Sequence, residues 1–370
     1  MRWFLVLLAL LAAALAGVVF GVPSNAATVN GVPITQSHLR SDLGTISKSP
    51  GYQCIAISSR TQAGQSPFTT SYVGAGGSSM VPSQIAAWWL TQLIQDQVII
   101  QQADRARIDV TRGDLSIGRS FYSSELNATL ANVESSGYNC GSSTQSLLSS
   151  LNSNFVRAQV YAQTELYLLM AHAIGYGLSS QSASKYYLAH RAMFDTVCAS
   201  EISVANSTQL KSVEKTLATS TPFDQAAPAG SITSGCLQPG QSPTLSVELE
   251  NIDVGQVTQA IPTGQGGYII LQVTKRTPNP LTGLDTAIRQ IILLTGAQRI
   301  QPLLQRALQT ASVSVNPAYG SWSKSKDVII RPLLPSQNLV PNPSANSPQA
   351  PSSSVSPFSS GLSSVSSQGG

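Results

Sequence analysis

The sequence predicts an α+β protein, with a mainly helical part and a smaller mixed part of strands and short helices. Three observations predict it. Leu90, Ile94 and Val98 recur four apart within 83–107, with Trp89 and Leu93 beside them, which gives one helical face an apolar stripe. The pattern changes after residue 195, where Val197–Val204 and the run Gly267-Tyr-Ile-Ile-Leu-Gln-Val-Thr274 read as strands, the second being the strongest strand signal in the chain. Helical spacing returns over 283–310, where Ile288, Ile291, Ile292, Leu303, Leu304 and Leu308 share an apolar side.

Taken in order, the chain opens with Arg2 and an uncharged apolar run from Trp3 to Phe20, and the next charge is Arg40. That is the charged and apolar pattern of an export signal, so the protein is expected on the outer side of a cell membrane. Ser24-Asn25-Ala26-Ala27 offers small residues for cleavage, yet the 18-residue run also suffices to cross a membrane as a helix. Cleaved signal and uncleaved anchor both stay open, and no Cys is placed to carry a lipid. Residues 28–34 read as a short strand with an Asn-Gly turn, and Thr35 as the cap of a helix reaching Ile46. The Gly/Ser/Pro-rich stretch 48–80 reads as a loop. Thr111 with Asp114 starts a further helix. Helical patterns also fit 143–175, 180–192 and 207–218, and Phe223-Asp-Gln-Ala-Ala227 fits a shorter one. Ser312–Pro317 is strand-like. The tail 335–370 is Ser, Pro, Asn and Gln with almost no charge, and is expected to be disordered.

Composition excludes several classes. Lys and Arg number 21 against 17 Asp and Glu, a net charge of +4, and they are scattered, so no basic stripe for nucleic acid exists. Neither a GxSxG elbow, a P-loop nor a GxGxxG run is present, and Gly74-Ala-Gly-Gly77 belongs to the loop. His38, His172 and His190 fall on predicted helices without acidic partners at metal-ligand spacing, and His190 reads as a solvated helix end. No cofactor or metal is expected. The four cysteines form no CxxC pair and suit an oxidising compartment. Cys54 and Cys140 sit in the similar settings Gly-Tyr-Gln-Cys and Gly-Tyr-Asn-Cys, while Cys198 and Cys236 lie together later. Of three possible connectivities, Cys54–Cys140 with Cys198–Cys236 is preferred. Each bridge would close a long loop, worth about 4 kcal/mol in the chain-entropy model. Asn127-Ala-Thr129 and Asn206-Ser-Thr208 are glycosylation sequons wherever the cell modifies such sites.

A series of segments, in order, resembles exported chaperones of the SurA and PrsA type. Thr28-Val-Asn-Gly-Val-Pro-Ile-Thr-Gln36 resembles the opening AxVNGxxIT strand of that family, and Gln102-Ala-Asp-Arg-Ala-Arg-Ile-Asp-Val-Thr111 its Ala-rich helix end followed by GIxVT. Phe223-Asp-Gln-Ala-Ala227, Gly235-Cys-Leu237 and Val254-Gly-Gln-Val-Thr258 stand where a parvulin (PpiC-type) peptidyl-prolyl isomerase domain has FxxLA, GGDLG and LxxGEVS. Gly267-Tyr-Ile-Ile-Leu-Gln-Val273 stands where it has GYHIIKV. Val315-Asn-Pro-Ala-Tyr-Gly-Ser-Trp322 resembles the VxPRYGxW ending of actinobacterial members. The resemblance implies a SurA-like helical chaperone domain at 28–193, a parvulin-like domain inserted at 194–277, and a helix and strand at 278–322 that complete the chaperone domain. Residues 1–27 would be the signal or anchor and 335–370 the tail. It also implies that the strand at 28–34 lies near the one at 312–316.

The implied activity is binding of unfolded or nascent exported polypeptides, with prolyl isomerisation as the family's enzymatic role. The uncatalysed flip is slow because a partial double bond must twist. In the family two histidines tie a hydrogen-bond network at the pocket floor, an acidic or Cys residue faces them, and Met and Phe grip the proline ring. Here Glu201 matches the first histidine and Ile269 the second. The loop before Gly235 is shortened to Pro228–Ser234, Leu245 stands for the Phe, and Tyr268 is retained. Ile269 neither donates nor accepts, and an unpaired buried Glu201 would be costly. The expectation is therefore a chaperone with weak or lost isomerase activity. The rival readings are an active isomerase with a rebuilt pocket and an envelope adaptor holding one dedicated partner.

Overall fold

A computed structural model describes residues 25–49, 51, 52, 55, 83–135, 140, 143–227, 231–263 and 266–330. The expected export segment, Cys54, most of the 48–80 loop and the tail lie outside the described residues. Contacts divide the chain into two compact units. One takes residues up to 111, then 118–166 and the part from 301; the other takes 112–117 and 167–300.

In the first unit the segment expected as one strand is a hairpin. β1 (Asn25–Val29) and β2 (Val32–Thr35) pair antiparallel through the two-residue turn Asn30-Gly31. Both turn residues have positive φ, 51° and 85°, the conformation that a tight hairpin matched to strand twist requires and that Asn-Gly supplies at least cost. β1 is the central strand of a three-stranded sheet in the order β2-β1-β7, where β7 is Val313–Val315. Ala27, Thr28 and Val29 face Val315, Ser314 and Val313 across an antiparallel register. Asn30 fastens the corner: its N–H donates to the Ser312 carbonyl (2.8 Å) and its Oδ1 accepts from Ser312 N (2.8 Å).

α1 (Gln36–Ile46) starts at Thr35, whose hydroxyl accepts from His38 N as the cap predicts. α2 (Ser83–Arg105) buries Ile85, Trp89, Leu90, Ile94 and Val98, and Trp89 Nε1 donates to Asp42 Oδ2 on α1 at 2.9 Å. Trp89 stacks on Phe155 (5.3 Å between centroids), and Tyr52 meets both edge-on. α3 (Arg112–Ser135) follows Thr111 with Asp114 in its first turn. The helix expected across 143–175 is two: α4 (Thr144–Ser150) and α5 (Ser153–Ala173), broken where Asn152 Oδ1 turns to accept from Asn154 N. Cys140 is buried and disulfide-bonded.

His38 does meet an acid, contrary to expectation. Its Nε2 lies 3.3 Å from Asp42 Oδ2, one helical turn away, and this hydrogen bond raises its pKa. Asp96 on α2 is half-buried, and burial, with the Asp42 carboxylate adding, pushes its carboxyl up to about 7. A folded-state pKa above the unfolded value means that the folded chain binds more protons between the two. The contribution is then fully present below about pH 4 and lost as pH rises to about 7. Asp96→Asn should match the parent in urea midpoint near pH 4 and exceed it at pH 8. A constant gap at both pH values would contradict this.

The second unit is built on a four-stranded antiparallel sheet of β3 (Thr196–Val204), β4 (Ile232–Leu237), β5 (Ile261–Pro262) and β6 (Tyr268–Thr277) in the order β4-β3-β6-β5. Cys198 and Cys236 face each other in the β3–β4 register and form a disulfide. One sheet face, with Ile202, Val204 and Ile270, packs on Val213 and Leu210 of α7 (Ser207–Leu217) and on Phe223. Asn206 caps α7, its Oδ1 accepting from Thr208 N and Gln209 N. The other face, with Val197, Leu271 and Val273, packs on Leu249, Ile252 and Leu245, the last from α8 (Pro243–Glu248). α6 (Ser180–Ala189) and the first turns of α9 (Asp285–Thr310) belong to the same unit.

Gly296 of α9 is required by close approach. A Cβ there would lie 2.2 Å from the Met170 carbonyl oxygen and 2.5 Å from its carbon, both backbone atoms of α5. Ala is the better helix former by about 1 kcal/mol. Overpacking against backbone costs roughly 1–3 kcal/mol or more, so the steric term wins. Gly296→Ala should lower the urea midpoint, and an unchanged or raised midpoint would show that α5 yields freely.

Candidate functional site

Alternation along β3 and β6 decides which of the expected pocket residues meet. Ile269 pairs with Ser203 on one side and Ile261 on the other, and packs with Leu245, Leu271 and Ile252. Glu201 pairs with Leu271 and, two residues from Ser203, shares that side of its strand. Tyr268 is one residue out of step. It pairs with Val204 and Pro262 and packs in the opposite cluster, with Ile202 and Ile270. The structure thus brings Glu201, Leu245 and Ile269 to one face of the sheet and sends Tyr268 to the other.

Glu201 is neither buried nor alone. It is half-exposed, and Ser203 Oγ donates to its Oε1 at 2.6 Å. The costly unpaired charge that the sequence left open is therefore avoided. Ile269 is also half-buried but contributes only hydrocarbon, so its side chain cannot join Glu201 in a hydrogen-bond network. Thr258, in the segment leading to β5, is buried, and its hydroxyl accepts from Leu271 N at 3.0 Å while its own N–H donates to the Leu271 carbonyl. That hydroxyl serves the strand. What remains is a packed apolar cluster with Leu245 and Ile269 half-buried at its margin and the Glu201 carboxylate and Ser203 hydroxyl beside it. Among the described residues no group of three His, Cys, Asp or Glu could hold a metal.

Two clusters at the edge of this face escaped sequence reading. Arg276 on β6 is the clamp. Its guanidinium donates to the carbonyls of Ile252 (3.0 and 2.8 Å), Ala192 (3.0 Å) and Leu249, and lies 3.4 Å from Asp195 Oδ2. It thereby gathers the 3₁₀ turn Arg191–Phe194, the end of α8 and β6. His190 is no solvated helix end. Its Nδ1 lies 2.8 Å from Glu250 Oε1, and its ring lies 4.4 Å from that of Tyr186. Asp195 two residues before Val197 was the only available hint to the clamp, since backbone carbonyls leave no signature in a sequence.

No family model and no curated protein matches the chain. Among solved structures, a peptidylprolyl isomerase (PrsA) from Bacillus anthracis is 16% identical, with 59% of this chain and 97% of that one covered at a TM-score of 0.30. One of the SurA-like chaperones PEB4 and Cj1289 of Campylobacter jejuni is 16% identical, with 79% and 98% covered at 0.22. PrsA from Bacillus subtilis is 16% identical, with 78% and 93% covered at 0.21.

Because the clamp relies on a planar fork of donors, Lys cannot replace it. Arg276→Lys should lower the urea midpoint almost as far as Arg276→Met, with a loss of roughly 2 kcal/mol or more expected for a partly buried charge-assisted network. Glu201→Gln, by contrast, should leave the midpoint within about 0.5 kcal/mol, as for a surface position. Equal effects of the two changes would remove Arg276 from this role.

Proposed function

We propose that the protein is an exported chaperone or foldase that binds unfolded polypeptides after they cross the membrane, and that its prolyl isomerase activity is weak or lost. The observation that carries this reading is the pairing of β1 with β7, Ala27–Val29 against Val313–Val315. It joins the two ends of the described chain in the arrangement that the SurA- and PrsA-type resemblance implies and that no local pattern demands. The motifs quoted for that resemblance lie in the hairpin at 25–35, the 3₁₀ turn Phe223–Gln225, β4 at Gly235 and β6 from Tyr268. In this reading the α+β unit would add the half-buried apolar margin at Ile269 and Leu245.

Loss of catalysis is supported at the floor. The two positions that bear histidines in parvulins carry a half-exposed carboxylate engaged by Ser203 and a hydrocarbon side chain. Neither presents the paired ring nitrogens that the family uses. Clients would be held by burial of their apolar side chains, at about 25 cal/mol per Å² removed from water before the cost of ordering. No cofactor enters this reading, and the apolar segment at 3–20 would deliver the chain to the outer face of the membrane.

The test is a pair of assays on the purified protein. It should suppress aggregation of several unrelated unfolded clients at near-stoichiometric amounts, and should leave cis-to-trans relaxation of an Ala-Xaa-Pro peptide close to its uncatalysed rate. Isomerisation at a rate usual for parvulins would establish the rebuilt-pocket alternative. Failure with all general clients, together with co-purification of one native partner, would establish the adaptor.

A further inference from the structure

The small residues that look like a cleavage site are structural. Ser24-Asn25-Ala26 has the small residues three before and one before a cut that an export-processing protease selects. Yet β1 begins at Asn25, Ala26 is 0% exposed and Ala27 2% exposed, and both belong to the main core cluster of their unit. Ala26 is the irregular position between the Asn25–Thr35 and Ala27–Ile34 pairs, so it lies inside the paired strand rather than at a frayed end.

The residues upstream of the apparent cut also carry bonds from the far end of the described chain. Asn316 N donates to the Ala26 carbonyl at 2.9 Å, and Asn316 Nδ2 to the Asn25 carbonyl at 3.4 Å. The Asn25 side-chain oxygen is itself enclosed. A cut after Ala26 would remove both acceptors and leave Asn316 without them. It would empty the fully enclosed methyl site of Ala26 and turn the Ala27 amide into an ammonium at an enclosed position in the middle of a sheet. Each change is unfavourable: lost acceptors for the half-buried Asn316 donors, a cavity, and a charge brought where an amide sat. A cut after Ala27 would further remove one of the residues that pairs with both β2 and β7.

We infer that the mature protein keeps Asn25 and Ala26 as the first residues of its central strand, and that the Ser24-Asn25-Ala26 site is not used for processing. The inference rests on export, which the proposed function shares, but not on client binding.

The experiment is the mass of the N-terminal peptide of the full chain, expressed in an exporting host and recovered from the cell envelope and from the medium. The expected result is a peptide that contains Asn25 and Ala26, whether or not residues before them remain. A dominant mature start at Ala27 or Thr28 would overturn the inference. In parallel, chains prepared to begin at Asn25 and at Ala27 should differ in stability, the shorter melting lower by on the order of 5 °C. Equal melting temperatures would overturn the inference too, because Asn25 and Ala26 would then be dispensable to the fold. Neither readout moves if the protein proves to be an adaptor rather than a chaperone.

Discussion

The first unit depends on β1 being paired on both sides. A lone hairpin of this length is marginal in water, and three strands with one buried face are the least that stands without help. The third strand comes from nearly three hundred residues downstream, so the sheet cannot form until the chain has left and returned. Asn30 makes that return specific. Beyond its two bonds to Ser312, its amide donates to Gln101 Oε1, and Gln101 Nε2 donates to the Val29 carbonyl, linking the corner to α2. The same turn that its positive φ makes tight thus registers a strand and a helix. Val29 and Ala27, fully or nearly enclosed, supply the apolar contact that makes the register worth holding.

The second unit obeys a different constraint, a sheet covered on both faces. Two apolar clusters lie on opposite sides of β3 and β6, and period-two alternation assigns every side chain to one of them. Changes to the expected catalytic floor are therefore not free. A residue at 269 must suit a cluster that includes Ile261 and Leu271, and a residue at 201 must suit a half-exposed strand beside Ser203. Isoleucine and a hydrogen-bonded glutamate meet those demands without the linked ring nitrogens. The sheet is held apart from these two positions by the disulfide between β3 and β4 and by the Arg276 clamp.

Much of this was legible where chemistry is local. The Thr35 cap, the Asn30-Gly31 turn, the apolar stripe of α2 and the alternation of β6 all announce themselves within a few residues, and each stands where its signal put it. The misses have physical reasons. Asn25-Ala-Ala reads as a processing signal because small residues serve both a protease and a tightly packed strand, so of β1 only Thr28 and Val29 read as strand. Leu151 is buried and keeps the helical period running through a real break, which Asn152 makes by capping the next helix. The hairpin of β8 (Ser321–Ser323) and β9 (Val328–Ile330) is short and half Ser and Lys, yet Ile329 N donates to Thr91 Oγ1 and Gln95 Nε2 donates to the Asp327 carbonyl. In the candidate site, motif matching grouped Tyr268 with Ile269, although adjacent strand residues must face opposite sides. His190 and Glu250, sixty residues apart, could be joined only by the fold.

The start of β1 also bears on where such a protein would work. Only residues 21–24 separate the apolar run ending at Phe20 from the first strand residue, Asn25. Four residues reach at most about 14 Å when fully extended. If the apolar run stays in the membrane, the β2-β1-β7 sheet is held within that distance of its surface. A cut upstream of Asn25 would free the protein yet leave the sheet whole. A cut at Ala26 would do neither cleanly, since it trades release for damage to the strand on which the unit closes. The enclosure of two alanines thus separates two questions that the sequence runs together: whether the chain is tethered, and whether its fold begins before or after the small residues.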